Sequence, residues 1–462
     1  MPSTFTGINI ASQAMAAFTQ ALDTSGQNIA NVNTPGYSRQ VVNFQDTTPT
    51  PEWIGKAVLL GNGVNVASIT SVRDLFLLGR KLGSSSDLGS TNQQLSGANQ
   101  IQSAFNEPGS NGISSALNGF YNAWSTLATN PGDSSSLIAV QQAGQTVADR
   151  VRGTYGTLQD LQTQTNTQIT STIGSIQNLA NQVAQLNQEI RAQQVTGGSA
   201  NGLVDQRDQA LQQLAGLVDI NTQTNADGTV TVNVNQFQLI HQSGANTFPT
   251  SYSAANGTVT DANGTYSVLG GQLAGLFQQL NSVTNAMGDL DNIANSLRTQ
   301  VNTIMKTGTN GLGATGQNFF NDVTPPTPQT GAIDFDLDPA VKANYKAIAA
   351  GVTGNGGDGG VALAISQAQS TAVAGLGNAS ITNYYTNTIN GIGTQVNYLT
   401  SQQSTQQALG TQIDNQIQSV SGVSLDEEMA NLVKFQQSYQ SAAKSLSMAD
   451  QNLQYLMSMI PA

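Results

Sequence analysis

Charge is what this sequence has least of. Only 9% of its 462 residues are Asp, Glu, Lys or Arg, against about 25% in an average globular chain. Gln, Asn, Ser and Thr carry the polar balance instead. The charges present are unevenly signed, 27 acidic to 15 basic, and no Lys/Arg cluster supplies the basic footprint of a nucleic-acid binder. Cysteine is absent, which excludes disulfides, a thiolate nucleophile and Cys-based metal sites. The single histidine, His241, excludes an HExxH motif and any site with two His ligands. No run reaches the ~18 apolar residues of a membrane span, so no membrane insertion is expected. No basic residue precedes Arg39, whereas a cleavable secretory signal needs a positive n-region. The chain is therefore expected to be cytoplasmic, or exported by a route that reads no cleavable signal.

What is present is seam periodicity. Ile8, Ala11, Met15, Phe18, Leu22, Ser25, Ile29 and Val32 alternate steps of three and four, the a/d spacing of a coiled coil. The stretch "GQNIANVNTPGYSRQ" (26–40) ends that helix, because Pro35 disfavours a helical Thr34 and Pro35-Gly36 suits the centre of a type II turn. Short extended segments are expected over 41–70, then a helix through "VRDLFLLGRKLG". Phe120, Trp124 and Leu127 share a helix face, and Ile169, Ile173, Ile176, Ala180, Val183, Asn187 and Ile190 line a longer helix. A further helix covers "LVDQRDQALQQLAGLVDI". Alternation in "GTVTVNV" and the hairpin signal Asn263-Gly264 predict roughly four strands over 220–270. Helix resumes from Leu276 to Ile304, "AIDFDLDP" alternates as a strand, and helix returns from about 362. There Leu425, Met429, Leu432, Gln436, Tyr439, Ala443, Leu446, Asp450, Leu453, Met457 and Ile460 make a second seam, opened by a Ser424/Glu427 capping box.

The expected fold is mainly α: long N- and C-terminal coiled-coil-like helices in an elongated helical bundle, with a small β insertion. The chain divides into a terminal helix and turn (1–40), a helical domain (41–219), the β insertion (220–270), a long helix (271–320) and a loop-rich segment with one strand (321–361). The helical domain then continues (362–422) into the C-terminal helix (423–462). A single narrow stripe cannot stabilise a lone helix. The two end helices either pair with each other or stay loose until they meet other subunits, and the residues alone leave both open.

No set of residues for catalysis survives inspection. Gly311–Gly316 matches GxGxxG but follows a helix rather than a strand. Asp334, Asp336 and Asp338 have calcium-loop spacing, yet Pro339 stands where the loop needs Gly and Tyr345 where it needs Glu. Asp426, Glu427 and Glu428 suit the first turn of a helix without further explanation. No catalytic, cofactor or metal residues are expected. In "LVDQRDQ", Arg207 has no acid three or four positions away, so Asp205, Arg207 and Asp208 are read as a structural pairing across helices.

The turn motif "GQNIANVNTPGYSRQ" resembles that of the flagellar axial proteins, the rod, hook and hook-associated proteins. The segments "GNGVNVASITSVRDLFLLGRKLG", "FYNAWSTLATNPGD" and "NGLVDQRDQALQQLAGLVDI" are similar to its hook-associated members. "GVSLDEEMANLVKFQQSYQSAAKSLSMADQNLQYLMSMI" resembles the family's C-terminal helix. The resemblance implies a structural protein of the hook–filament junction, extracellular, exported unfolded without a cleavable signal, and not an enzyme. It implies end helices that pair as coiled coil on assembly. It also implies as partners further copies in a ring of about eleven, the hook protein, a second junction protein, and an export chaperone at the C-terminal helix. Under it Ile8, Met15, Phe18, Leu22 and Ile29, with Leu425, Met429, Leu432, Tyr439, Leu446, Leu453 and Met457, would mediate subunit interaction. Asn28, Asn31 and Asn33 would cap the helix and bond neighbours. Pro35-Gly36 would turn the chain outward, and Tyr37 and Arg39 would make early outer-layer contacts. Where longer members carry an extra β domain, this chain has only "TPPTPQTGA", so that domain is expected to be missing or reduced. A hook or distal rod protein shares the turn motif but not "VDQRDQ". An exported adhesin-like surface protein would need a larger outer domain.

Overall fold

The first helix, α1 (Thr4–Ala30), stops where the amide-rich turn begins. Asn31 N–H still reaches back to Gln27 O, but Tyr37 N–H already donates to Thr34 O across Pro35-Gly36. Gly36 has φ +78°, the left-handed value that the third position of a type II turn requires. The computed structural model describes residues 4–53, 57–107, 109, 111–322 and 331–459. The chain continues through β1 (Gln40–Asp46), β2 (Thr50–Trp53), β3 (Ala57–Leu60) and β4 (Val64–Ser71). Strand β1 pairs antiparallel with β4, and β2 with β3. Then come α2 (Leu75–Phe105), capped by Asp74 Oδ1 on Phe76 and Leu77 N–H, α3 (Ile113–Thr129), and the 62-residue α4 (Ser134–Val195). Helix α5 (Asn201–Leu217) leads into the β insertion.

That insertion is richer than its alternation suggested. It forms a four-stranded antiparallel sheet, β5 (Asn221–Thr224), β6 (Val230–Val234), β7 (Phe237–His241) and β8 (Gly244–Ala245), and a separate three-stranded sheet, β9 (Ser251–Ser253), β10 (Thr258–Thr260) and β11 (Thr265–Ser267). The second hairpin turns at Asn263-Gly264 as expected. Helix α6 (Gly271–Met305) buries Leu276, Val283, Met287, Leu290, Ala294, Leu297 and Val301 along its seam. The short α7 (Pro339–Ala343) and α8 (Gly360–Gln367) precede α9 (Ile381–Ser421) and α10 (Leu425–Ser458). The fold is mainly α with small sheets.

One expected strand is absent. Residues 332–339 alternate in burial, with Phe335 and Leu337 inside, but Leu337 makes only an isolated bridge with Phe320. The aspartates between them face cations rather than solvent on a sheet: Asp334 meets Arg298, while Asp336 meets Arg152 and Lys342. Alternation there records side-chain partners, not a ladder. Most of the "TPPTPQTGA" stretch, its residues 324–330, lies outside the described residues.

The chain divides into two compact units. Unit 1 combines Met1–Asp87, Ser175–Phe248 and Gln406–Ala462; unit 2 combines Leu88–Gly174 and Pro249–Thr405. The first β sheet belongs to unit 1 and the second to unit 2. Unit 2 is centred on rings from α3 and the segment after α6. Phe120 lies 5.6 Å from Phe319, 5.7 Å from Phe320 and 6.2 Å from Trp124, and Phe320 lies 4.5 Å from Phe335. Buried Asn302 fixes that segment: its Oδ1 accepts from Phe319 and Phe320 N–H, and its Nδ2 donates to Phe320 O.

Candidate assembly site

The terminal helices pack on each other within unit 1, and α1 also packs on β1 and β4. On α1 the expected seam positions Ile8, Met15, Phe18, Leu22 and Ile29 are half-buried, while Ala17 and Ala21 beside them are fully covered. On α10 the seam differs from the one expected. Leu432, Tyr439, Leu446 and Leu453 are half-buried, but Leu425, Met429 and Met457 are exposed. Ile460 lies outside the described residues. Glu428, Phe435, Ala442 and Ala449 take the alternate places, so one of the stripe's two rows moves by one residue and its centre turns by about 50°. Two contacts set this rotation. Phe44 of β1 stands between Phe18 and Phe435, at 5.9 and 6.0 Å, and Arg39 binds Glu428.

The turn motif is held from three sides. Asn28 is 1% exposed, and its amide makes three hydrogen bonds within the chain: Oδ1 accepts from Tyr37 O–H (2.8 Å) and Gln40 N–H (2.9 Å), and Nδ2 donates to Gln40 O (2.9 Å). Asn31 donates to Gln27 O and accepts from Thr34 O–H. Asn33 is exposed. Arg39 Nε and Nη1 meet Glu428 and Glu427, each at 2.8 Å, and its N–H donates to Ser421 O. The third support is α5, where Gln209 Nε2 donates to Pro35 O (2.7 Å) and Asp205 accepts Ser38 N–H. An Asn28→Ala variant orphans three polar groups and is expected to cost about 2 kcal/mol. Fast amide exchange at Gln40 would register it, and unchanged protection there would refute this role for the amide.

The residues of "VDQRDQ" separate by function. Asp205 and Asp208 both face Arg73, a residue the sequence reading did not single out. Burial raises both carboxyls above the usual carboxylate range, with Arg73 pulling the other way. Arg207 keeps its Nε 3.9 Å from Asp208 Oδ1 but donates its Nη1 hydrogens to Gly228 O (2.6 Å) and Asn187 Oδ1. Asn187 in turn clamps Val230 N–H and C=O, so Arg207 fixes α5 to α4 and to the first β sheet. Its guanidinium is 5% exposed, and burial lowers its pKa. Tyr37 is pushed up to about 12 by burial and by the nearby charges of Asp205 and Glu428, so it is a hydrogen-bond donor at any working pH. Tyr37, Arg73, Lys81, Asp205 and Gln418 line a cleft of about 210 Å³. No group of three His, Cys, Asp or Glu among the described residues is placed to hold a metal. The arrangement is a joint: it fixes a turn between two helices.

Arg73, Glu428, Gln209 and Asn187 were not legible as site residues, because each partner lies far away in sequence. Only Glu428 carried a signal, through its place in the capped first turn of α10.

Residues 98–320 match the model of the flagellar hook-associated protein FlgK helical domain. Residues 415–459 match that of the flagellar basal body rod FlgEFG protein C-terminal, and residues 8–37 that of the flagella basal body rod protein. Flagellar hook-associated protein 1 of Bacillus subtilis (strain 168) is 27% identical over 497 aligned positions, covering 98% of each chain. The Escherichia coli (strain K12) protein of that name is 26% identical over 545 positions, covering 96% of this chain and 97% of that one. That alignment is longer than this chain, so the relative carries segments absent here. The fold is shared with the flagellar hook junction protein FlgK from Burkholderia pseudomallei, at TM-score 0.63 and 18% identity over 74% of this chain and all of that structure. The chain belongs to the family of flagellar hook-associated protein 1, structural components of the bacterial flagellum at the junction between hook and filament.

Proposed function

We infer that this chain builds the hook–filament junction by polymerising through its terminal helices, without catalysis. The observation that carries the reading is the state of α10. One stripe of the helix is covered by α1, while Leu425, Met429, Val433, Met448, Tyr455, Met457 and Met459 are exposed. A helix stripped of water on one side and apolar on another has a second surface to cover. Ring closure by about eleven copies follows the family resemblance. The hook protein and a second junction protein are the neighbours on either side. An export chaperone covers the C-terminal helix before assembly, and the chain functions outside the cell. The subunit contacts are assigned to the seam residues of α1, to the outward residues of α10, and to Asn33 and Thr34 at the exposed tip of the turn.

Deleting the gene in its host tests this. Hooks without filaments, with flagellin lost to the medium, are the expected result. Missing hooks would move the chain to the rod or hook, and normal filaments would leave an adhesin-like surface role.

A further inference from the structure

Sulfur is unevenly placed in this chain. There is no cysteine, and of the eight methionines four fall between positions 429 and 459. Met429, Met448 and Met457 lie on α10 and Met459 just past its end, and all four are between 51% and 79% exposed. The other described methionines are shielded. Met305 is fully buried and Met287 nearly so in the core of unit 2, and Met15 of α1 is half-buried. No methionine of α10 lies in the stripe covered by α1, where Leu432, Leu446 and Leu453 stand instead. A thioether is apolar and flexible, which suits an adaptable contact surface. It is also readily oxidised, and here no thiol competes for the oxidant.

We propose that these four methionines are an oxidation site: a peroxide converts them to sulfoxides in the free chain, and a chain so modified no longer joins the assembly. This rests on the polymerisation reading above and adds the chemical state in which the outward surface of α10 is competent. The thioether sulfur attacks one peroxide oxygen. The S–O bond forms as the O–O bond breaks, and the transferred oxygen gives its proton to the departing hydroxide. Sulfur is oxidised by two electrons and the peroxide is reduced to water. The new S–O dipole leaves the stability of the free chain unchanged, because the four side chains already meet water. It opposes any contact that covers them, because a polar oxygen is then buried without a partner. A sulfoxide at Met287 or Met305 would act differently, by disrupting the packing of unit 2.

The test has two parts. The purified full-length chain is treated with hydrogen peroxide and mapped by peptide mass spectrometry. Met429, Met448, Met457 and Met459 are expected to convert about tenfold faster than Met287 and Met305. The thermal midpoint is expected to stay unchanged, and a methionine sulfoxide reductase to reverse the conversion. Equal rates at all sites, or a midpoint that falls as the four convert, would overturn the site. In a strain lacking its own gene copy, the chain is then induced in sublethal hydrogen peroxide. It is supplied as wild type or as the combined variant Met429→Leu, Met448→Leu, Met457→Leu and Met459→Leu, a volume-conserving change. Filament numbers are expected to match without peroxide and to favour the Leu variant about tenfold in its presence. Replacing the same four by Gln, polar but of similar helix propensity, is expected to leave about tenfold fewer filaments with no oxidant at all. That arm is independent of how the Leu variant behaves. Equal filament loss in peroxide for wild type and Leu variant would overturn the proposal while leaving polymerisation intact, and so would wild-type numbers with Gln. Failure of the polymerisation reading itself would show earlier, as normal filaments in the deletion strain.

Discussion

Arg73→Met is expected to destabilise unit 1 by roughly 3–5 kcal/mol at neutral pH, the cost of leaving buried charges uncompensated, and by clearly less near pH 4.5. Arg73 faces both Asp205 and Asp208, whose side chains are 9% and 15% exposed. Burial already raises both carboxyls. A carboxyl whose folded pKa lies above its unfolded value holds its proton more tightly when folded. Its burial cost is therefore present at neutral pH and is removed as pH falls through the folded pKa toward the unfolded one. Removing Arg73 raises the folded values further, which enlarges the cost at neutral pH and the recovery on acidification. Arg207 substitutes only in part, since its Nε lies 3.9 Å from Asp208 Oδ1 and its short hydrogen bond is to Gly228 O. Thermal unfolding of wild type and variant by circular dichroism at about pH 7.5 and about pH 4.5 decides the matter. An equal loss at both values would mean that Arg73 acts by packing alone.

The second large effect belongs to unit 2. Phe120→Ala is expected to cost about 4 kcal/mol, the middle of the range for emptying a buried aromatic site. Phe120 is fully buried and touches Tyr121, Trp124, Phe319 and Phe320 edge-on or tilted. Little collapse is available to fill the cavity. Asn302 holds the backbone of Phe319 and Phe320 in place, and the absent side chain of Gly144 lets the Phe319 ring approach α4, where a Cβ would come within 2.6 Å. Trp124 fluorescence reports the change, because its ring sits 5.2 Å from Phe319. A loss under 1.5 kcal/mol, the scale of a volume-conserving change, would show that the cluster repacks.

Helices, their ends and one covered face of α1 were legible because each depends on neighbours within a turn or two. The stop at Thr34-Pro35-Gly36 needed only local sterics. The stripe on α10 was misplaced for a definite reason. Its apolar residues surround much of the helix, and what selects among them is Phe44 and Arg39, from the other end of the chain. Glu428 looked like an acid at a helix start, yet it is nearly buried because Arg39 reaches it across 389 positions. The amides misled in a second way. Asn28, Asn187 and Asn302 look like the polar filler of a low-charge chain, but each grips a backbone segment from inside. In a sequence with so few ions, asparagine does the pinning that ion pairs do elsewhere.

Unit 1 draws on the first, a middle and the last portion of the chain, which imposes an order in time. Whichever end arrives first, the Arg39–Glu428 joint and the α1–α10 stripe have no partner until the opposite end is present. Closing such long loops also slows folding. A chain of which only one end is present therefore remains open along this unit, and its terminal helix surfaces stay unpaired until the other end is there.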